Sequence, residues 1–127
     1  MNNKKTGMQF EKFMCKELAR RGWWAHFMSP GPGGAQPFDI IAIRGSHILA
    51  IDCKTCVTKT FPYSRIEDNQ RLAFDALMDK SDSRRIKSGF AISYGDRIVF
   101  LPYEQVITDE KNGKKSYCLE GRNDMFG

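Results

Sequence analysis

The first segment of the chain alternates apolar and polar positions with the period of an α-helix. Its apolar stripe consists of Phe10, Phe13, Met14 and Leu18. Lysines and arginines lie off this stripe, as expected for a helix with one buried face. The pattern predicts a helix over residues 6–21, with Thr6 as its N-cap and Gly22 as the residue that ends it.

Shorter apolar runs with the character of β-strands follow this helix. Residues 23–28 predict a short strand, and the three prolines and three glycines of residues 29–37 predict a loop. Residues 38–44 and 47–56 are rich in β-branched and apolar side chains. They flank Gly45-Ser46, a two-residue signal for a type II′ turn, and therefore predict a β-hairpin.

The second half of the chain predicts one more helix and several strands. The helix covers residues 66–78, with an apolar stripe made of Ile66, Leu72 at its edge, Ala73 and Leu77. The remaining apolar segments predict two strands and then a last hairpin around Asn112-Gly113, at residues 89–93, 97–101, 105–108 and 116–119. The resulting order α-β-β-β-α-β-β predicts a mixed α/β fold, and 127 residues predict a single domain over 1–127.

The charge balance points to a polyanionic partner. Twenty Lys and Arg against fifteen Asp and Glu give a net charge of +5 and a sequence pI of about 9.1. No apolar run exceeds four residues, so no membrane-spanning segment is predicted. The polar, basic start has no secretory signal pattern, which predicts a cytoplasmic protein with reduced cysteines.

The predicted hairpin brings two acidic residues face to face. In a hairpin with a two-residue turn at 45–46, Asp39 pairs with Asp52, and Lys54 lies on the same face as Asp52. Two carboxylates this close repel each other unless a cation or a proton lies between them, and Mg²⁺ is a cation that prefers such ligands. An Asp–Lys ion pair at a strand end is an equally weighted alternative, and a register slip of one residue would separate the two acids.

Two further residues enter the argument with weaker support. Glu11 heads an apolar row of the first helix, so beside the hairpin acids it indicates a third carboxylate of the site. Taken alone, it is a first-turn acid that favours the helix dipole. Gln70 taken alone is interpreted as an ordinary surface amide. The Cys53-x-x-Cys56 pair is interpreted as core thiols, because zinc would need a second pair and a redox motif belongs at a helix N-terminus.

The combination of these residues resembles a known family of nucleases. Glu11, Pro37-Phe38-Asp39 and Ile51-Asp52-Cys53-Lys54 resemble the PD-(D/E)XK nuclease signature. Within that superfamily the chain most resembles Holliday junction resolvases of the RecU-like and archaeal types, including the shorter phage-encoded members. The RecU-like features are Lys54-Thr55, Phe61-Pro62 and Gln70. The archaeal features are Glu11 leading into Leu18, Arg21-Gly22-Trp23 and the loop residue Ser29.

The resemblance implies a restriction-endonuclease-like core (α-β-β-β-α-β) with a central mixed sheet flanked by helices. It implies a Mg²⁺ cofactor, for which Mn²⁺ is expected to substitute, on the ligands Asp39, Asp52 and Gln70. Lys54 would assist at the transition state, Glu11 would match the helix acid, and Ser29 would match the loop serine. The family consists of homodimers that cut four-way DNA junctions by paired symmetric nicks.

Two departures from the family pattern stand out. Asp52 stands where most members have Glu, and Pro37 stands where RecU-like proteins have a hydroxyl residue near the metal. Lys59 and Arg65 are the basic residues expected to contact substrate, because they lie between Lys54 and Gln70. Two alternatives stay open: a restriction- or repair-type nuclease of the same fold with another DNA structure preference, and a DNA-binding module that does not cleave.

Overall fold

A computed structural model describes residues 3–28, 36–80 and 84–127 of the chain. Its helices and strands are α1 (Asn3–Arg20), β1 (Trp24–Phe27), β2 (Ile40–Arg44), β3 (His47–Thr55), β4 (Thr60–Pro62), α2 (Asp68–Lys80), β5 (Ile86–Tyr94), β6 (Arg97–Pro102), α3 (Tyr103–Lys111) and β7 (Ser116–Cys118). One turn of 3₁₀ helix (Tyr63–Arg65) joins β4 to the segment before α2.

The centre of the fold is a five-stranded mixed sheet in the order β1-β2-β3-β5-β6. Strands β3 and β5 are parallel, and the other neighbours are antiparallel. A parallel pair needs a crossover connection, and α2 lies in the segment that makes it. Strands β4 and β7 form a separate two-stranded sheet. The predicted mixed α/β architecture with a helix-flanked central sheet is confirmed.

The register of the β2–β3 hairpin follows from its turn. Gly45 has a φ of 60°. Ser46, like every other described residue that is not a glycine, has no positive φ, so the turn is of type II′. Arg44 pairs with His47, and the regular pairing continues to Ile40 and Ile51. The predicted register is therefore correct over the length of β2.

The regular pairing stops one residue short of the acidic pair. The N–H of Asp39 donates to the carbonyl of Ile51 at 3.0 Å, although Ile51 is already the partner of Ile40. Two residues of one chain segment thus lie against one of the other, as in a β-bulge. The prediction that Asp39 directly opposes Asp52 in the ladder is wrong for this reason.

The sheet separates two apolar cores, and β3 contributes to both by its alternation. On one face, α1 packs Phe10, Met14 and Leu18 against β2, β3 and β5, and Ile51 is completely buried there. On the other face, α2, α3, β4 and β7 enclose a core that includes Phe61, Phe74, Phe90, Tyr103 and Tyr117. Because side chains alternate along a strand, Ile51 and Cys53 belong to the α1 side and Asp52 does not.

The C-terminal region differs from the predicted last hairpin. Residues 105–108 belong to α3, in which Tyr103 and Val106, three positions apart, are both buried. Gly113, with a φ of 81°, follows the end of this helix instead of forming a hairpin turn. Strand β7 pairs with β4 in place of the predicted strand at 105–108.

The helix boundaries and one helix stripe also need correction. Helix α1 begins at Asn3, so Thr6 lies inside it instead of preceding it as the N-cap. In α2 Ala73 and Leu77 pack against the core as predicted, but the fully buried residue is Phe74, and Leu72 is 72% exposed. Among the described residues, no helix is both long enough and apolar enough to cross a membrane.

Candidate active site

Asp52 is a buried acid on the central strand of the sheet. It is 2% exposed, and its Oδ2 accepts no hydrogen bond from the described residues. Lys54 Nζ lies 3.2 Å from this oxygen and forms an ion pair with it without hydrogen-bond geometry. Burial, followed by the nearby charge of Asp39, raises the pKa of Asp52 to about 8, and Lys54 opposes this shift only in part.

Asp39 is held outside the strand pairing by two donors to its carboxylate. Gln36 Nε2 donates to Oδ1, and the backbone N–H of Cys53 donates to Oδ2 at 2.7 Å. The side chain is 6% exposed. The bond from Cys53 spans the hairpin, so the Asp39 carboxylate lies beside Asp52 even though the ladder ends before it. Asp39 and Asp52 therefore lie side by side as predicted, but through this hydrogen bond instead of the predicted direct cross-strand pairing.

Lys54 extends from β3 toward the segment that precedes α2. Its side chain is 12% exposed, and Nζ also lies 3.5 Å from the carbonyl oxygen of Arg65, to which it donates. Arg65 is exposed, but its guanidinium donates to the carbonyl of Thr55 at 2.8 Å and lies over the ring of Phe61. Lys59, the other predicted substrate contact, is exposed beside β4. Both basic residues lie on the segments that follow Lys54.

Glu11 approaches the site from helix α1. Burial, together with the charge of Asp39, raises the pKa of Glu11 to about 7. It lines a groove of about 380 Å³ between α1 and β1 with Met8, Lys12, Cys15, Lys16 and Phe27. In the described part of the chain, no three His, Cys, Asp or Glu side chains form a group ready to hold a metal ion. The structure thus brings Asp39 and Asp52 together and places Glu11 near them.

Gln70 and Ser29 have different outcomes. Gln70 is 6% exposed, so its interpretation as a surface amide is wrong. Its Oε1 accepts a hydrogen bond from the backbone N–H of Glu67 at 3.1 Å, the reciprocal bond of a capping box at the start of α2. This oxygen caps the helix, and a role for Gln70 as a metal ligand stays a prediction. Ser29 lies outside the described residues.

Two amide side chains that sequence reasoning did not select support Asp39. Gln36 contacts the carboxylate directly, and Asn69 Nδ2 donates to the carbonyl of Gln36 at 2.7 Å. Asn69 lies 33 residues away in the first turn of α2. Single amides in a loop and a helix carry no pattern, so the only sequence signal was the position of Gln36 three residues before the acid.

The donor chemistry of the site fits a hard divalent cation. A buried carboxylate oxygen without a donor is costly, and a cation would remove that cost. Asp39 and Asp52 offer oxygen ligands, which Mg²⁺ and similar ions prefer and which they complete with water and substrate phosphate. Cys53 offers no competing thiolate, because burial raises the pKa of its thiol. Cys56 is a member of the core on the α2 side and Cys53 packs against the core on the α1 side, as the core-thiol interpretation of this pair expects.

Comparisons with known proteins find one matching family model and similar solved structures. The family model described as archaeal Holliday junction resolvase (Hjc) matches residues 2–111. No curated protein sequence matches the chain. Among solved structures, that of Archaeoglobus fulgidus Hjc, a Holliday junction resolvase from an archaeal hyperthermophile, superimposes with a TM-score of 0.60. The two chains are 20% identical, and the match covers 77% of this chain and 78% of that one.

Proposed function

Because the chain belongs to the archaeal Holliday junction resolvase family, we propose that it cuts four-way DNA junctions by phosphodiester hydrolysis at Asp39, Asp52 and Lys54. As a member of this family it is an endonuclease. The proposal adds the residues that act, Mg²⁺ as the ion, and paired symmetric nicks made by a homodimer. The whole chain is proposed to serve as one nuclease domain.

A single observation carries the proposal. Asp52 Oδ2 is buried on a central strand, accepts no hydrogen bond from the described residues and lies 3.2 Å from Lys54 Nζ. A fold that needed only an ion pair would leave both partners at the surface, where desolvation costs little. A buried acid with a free oxygen beside a partly exposed cation is an arrangement that can bind a metal and a phosphate together.

Each residue then has a defined role. Asp39 and Asp52 would hold the divalent ion, which when bound lowers the pKa of an attacking water and offsets charge on the phosphate. Lys54, 12% exposed, would place its ammonium against the phosphate oxygen that gains negative charge. Glu11, with its raised pKa, can hold or release a proton near neutral pH at the α1 side of the site.

Exposed basic residues beside the site would meet the DNA backbone. The carbonyl oxygen of Arg65 accepts a hydrogen bond from the Lys54 ammonium, and the Arg65 side chain is exposed. Lys59 is exposed immediately before β4. Phosphate contacts of this kind position a duplex without reading its sequence. The substitutions Lys59→Ala and Arg65→Ala are therefore expected to weaken junction binding and to flatten its salt dependence, each by about one released counterion.

The homodimer is proposed to form through the β1 edge of the sheet. Trp24 is 58% exposed and stacks on His26, and its partner Ile43 on β2 is 37% exposed. Strand β1 ends the five-stranded order, so one of its sides has no neighbouring strand among the described residues. A second copy of this chain could cover both features.

Sedimentation at micromolar concentration should give a mass of twice 14.5 kDa, and the variant Trp24→Glu should give the monomer. A wild-type monomer would contradict the dimer.

One assay tests the function. The protein is incubated with a synthetic four-way junction, a linear duplex and a single strand of matched sequence, each with and without Mg²⁺. Paired nicks at symmetric positions of the junction, dependent on the metal, are expected. Cleavage of all three substrates would favour a general nuclease of the same fold, and binding without nicks would overturn the catalytic proposal.

A further inference from the structure

A chain of hydrogen bonds links helix α2 to the acid that lies outside the strand pairing. Asn69 Nδ2 donates to the carbonyl of Gln36 at 2.7 Å, and Gln36 Nε2 donates to Asp39 Oδ1. The first bond holds the backbone of Gln36, and the second uses its side chain. One amide thus anchors the other, and the second amide contacts the carboxylate.

This link compensates for the lack of regular structure around Asp39. Residues 36–39 belong to no helix or strand, and the ladder of β2 and β3 ends at Ile40. The backbone N–H of Cys53 fixes Oδ2, but one hydrogen bond leaves the carboxylate free to rotate about it. The bond from Gln36 fixes the second oxygen and therefore the plane of the group.

The support for Asn69 is rigid. It lies in the first turn of α2, where Gln70 caps the N–H of Glu67 and Phe74 is fully buried one turn later. An amide on a packed helix end defines a position more accurately than a loop can. Each carboxylate oxygen has two lone pairs, so the bonds from Gln36 and Cys53 leave one on each oxygen for a cation.

We propose that Asn69 is a positioning residue of the nuclease site, which acts through Gln36 to hold the Asp39 carboxylate in the orientation that binds the divalent ion. This inference rests on the proposed function, since it assigns Asp39 to the metal. It assigns no chemical step to Asn69 or Gln36. Residues that orient metal ligands change metal affinity or rate by about 10–100-fold when they are replaced.

The test measures Mn²⁺ binding to the DNA-free protein by calorimetry for Asn69→Ala, Gln36→Ala and the double variant. Each single variant is expected to bind Mn²⁺ about tenfold more weakly. The double variant should bind no more weakly than Gln36→Ala, because Asn69 acts through Gln36. Asp68→Asn, an isosteric change at an exposed neighbour in the same turn, is the control and should bind like the wild type.

Kinetics on the junction give a second readout. The two single variants, Asn69→Ala and Gln36→Ala, should have a lower kcat and need a higher metal concentration for half-maximal rate. Their KM for the junction should stay the same. Wild-type Mn²⁺ affinity in Asn69→Ala, or additive losses in the double variant, would overturn the positioning role. Should Asn69→Ala fail to fold, Gln36→Ala still tests the contact with the acid. Failure of the wild type to cut DNA would overturn the proposed function and leave the calorimetric test in place.

Discussion

Lys54 Nζ lies 3.2 Å from Asp52 Oδ2, and this ion pair leaves the buried carboxylate oxygen without a hydrogen-bond donor among the described residues. The pKa of Asp52 is raised to about 8 despite the neighbouring ammonium. Burial therefore outweighs the attraction of the pair. In the absence of metal, the ionised form of Asp52 destabilises the fold, which makes the site measurable without an activity assay.

The substitution Asp52→Asn should stabilise the metal-free protein at high pH. The folded pKa of about 8 lies above the ordinary value of 3.8, so the folded state binds the extra proton and loses stability as pH rises from about 4 to 8. At pH 8 the amide should raise the free energy of unfolding by about 2 kcal/mol, less than the full shift because Lys54 loses its partner. Chemical denaturation in EDTA at pH 5 and pH 8 measures the difference.

The same variant should lose cleavage, which separates stability from function. At pH 5 the stabilisation should shrink, since Asp52 is then protonated in the folded wild type. Equal stability of the two proteins at pH 8 would show that Asp52 carries no buried charge. A variant that cuts the junction at the wild-type rate would remove Asp52 from the site.

Lys54→Ala should abolish junction cleavage and keep junction binding. The Lys54 side chain is 12% exposed, and its ammonium lies beside the acids, where it can stabilise charge that develops on the phosphate. Groups in this role contribute about 100-fold or more to kcat. Gel-shift titration without metal and single-turnover kinetics with Mg²⁺ measure the two properties. Lys59→Ala is the matched control, expected to weaken binding and to keep the single-turnover rate at saturating protein.

The part of the site that could be predicted from sequence is the part that local geometry determines. A two-residue turn with glycine at its first position fixes the register of the hairpin, so Asp52 and Lys54 fall on one face and Ile51 on the other. The position of Asp39 could not be derived in this way. It depends on the Cys53 N–H, on Gln36 and, through Gln36, on a residue 33 positions further along the chain.

The same distinction between local and distant contacts explains where the predicted fold is wrong. Helix α1 has a strong periodic pattern and strands β2, β3 and β6 contain continuous apolar runs, whereas β4 and β7 are three residues long and pair across more than fifty positions. Short strands with distant partners leave almost no periodic signal. Asn112-Gly113 resembles a hairpin turn and therefore predicts a strand at residues 105–108, although Gly113 follows the end of a helix instead.

Divalent metal binding should release protons near neutral pH. The pKa of Asp52 is raised to about 8 and that of Glu11 to about 7, so at pH 7 both acids are protonated to a substantial degree before a cation binds. Affinity for Mn²⁺ should therefore rise between pH 6 and 8, by about tenfold per unit for each proton released. Calorimetry at pH 7 in two buffers of different ionisation enthalpy counts the protons. Asp52→Asn should reduce the count, and a pH-independent affinity would contradict the raised pKa values.

Tyr63→Phe should destabilise the fold without changing the chemistry. The buried hydroxyl of Tyr63 donates to Asp109 Oδ2, and Gln105 donates to the other oxygen of the same carboxylate. Removing the hydroxyl leaves a buried acceptor short of a donor, at a cost of about 1–3 kcal/mol. Thermal and denaturant unfolding measure the loss, and single-turnover cleavage below the transition should stay within about twofold of the wild type. A large drop in rate would instead show that the turn before Arg65 positions Lys54.

Gly89→Ala should be among the most destabilising single-methyl additions, because two strands approach closely at this position. Gly89 on β5 pairs with Pro102 on β6, and a Cβ on it would lie 2.3 Å from the carbonyl oxygen of Leu101 and 2.9 Å from Pro102 Cα. Both contacts are with backbone, so relief requires the strands to separate, at a cost of about 3 kcal/mol.

Gly7→Ala in α1 is the control of opposite sign. Among the described residues, no atom outside the adjacent turns of the helix backbone and the neighbouring residues lies within 4 Å of its added Cβ, and alanine favours the helix by up to about 1 kcal/mol. Denaturant unfolding of the two variants should move in opposite directions, and a neutral Gly89→Ala would show that β5 and β6 are less closely packed than the structure has them.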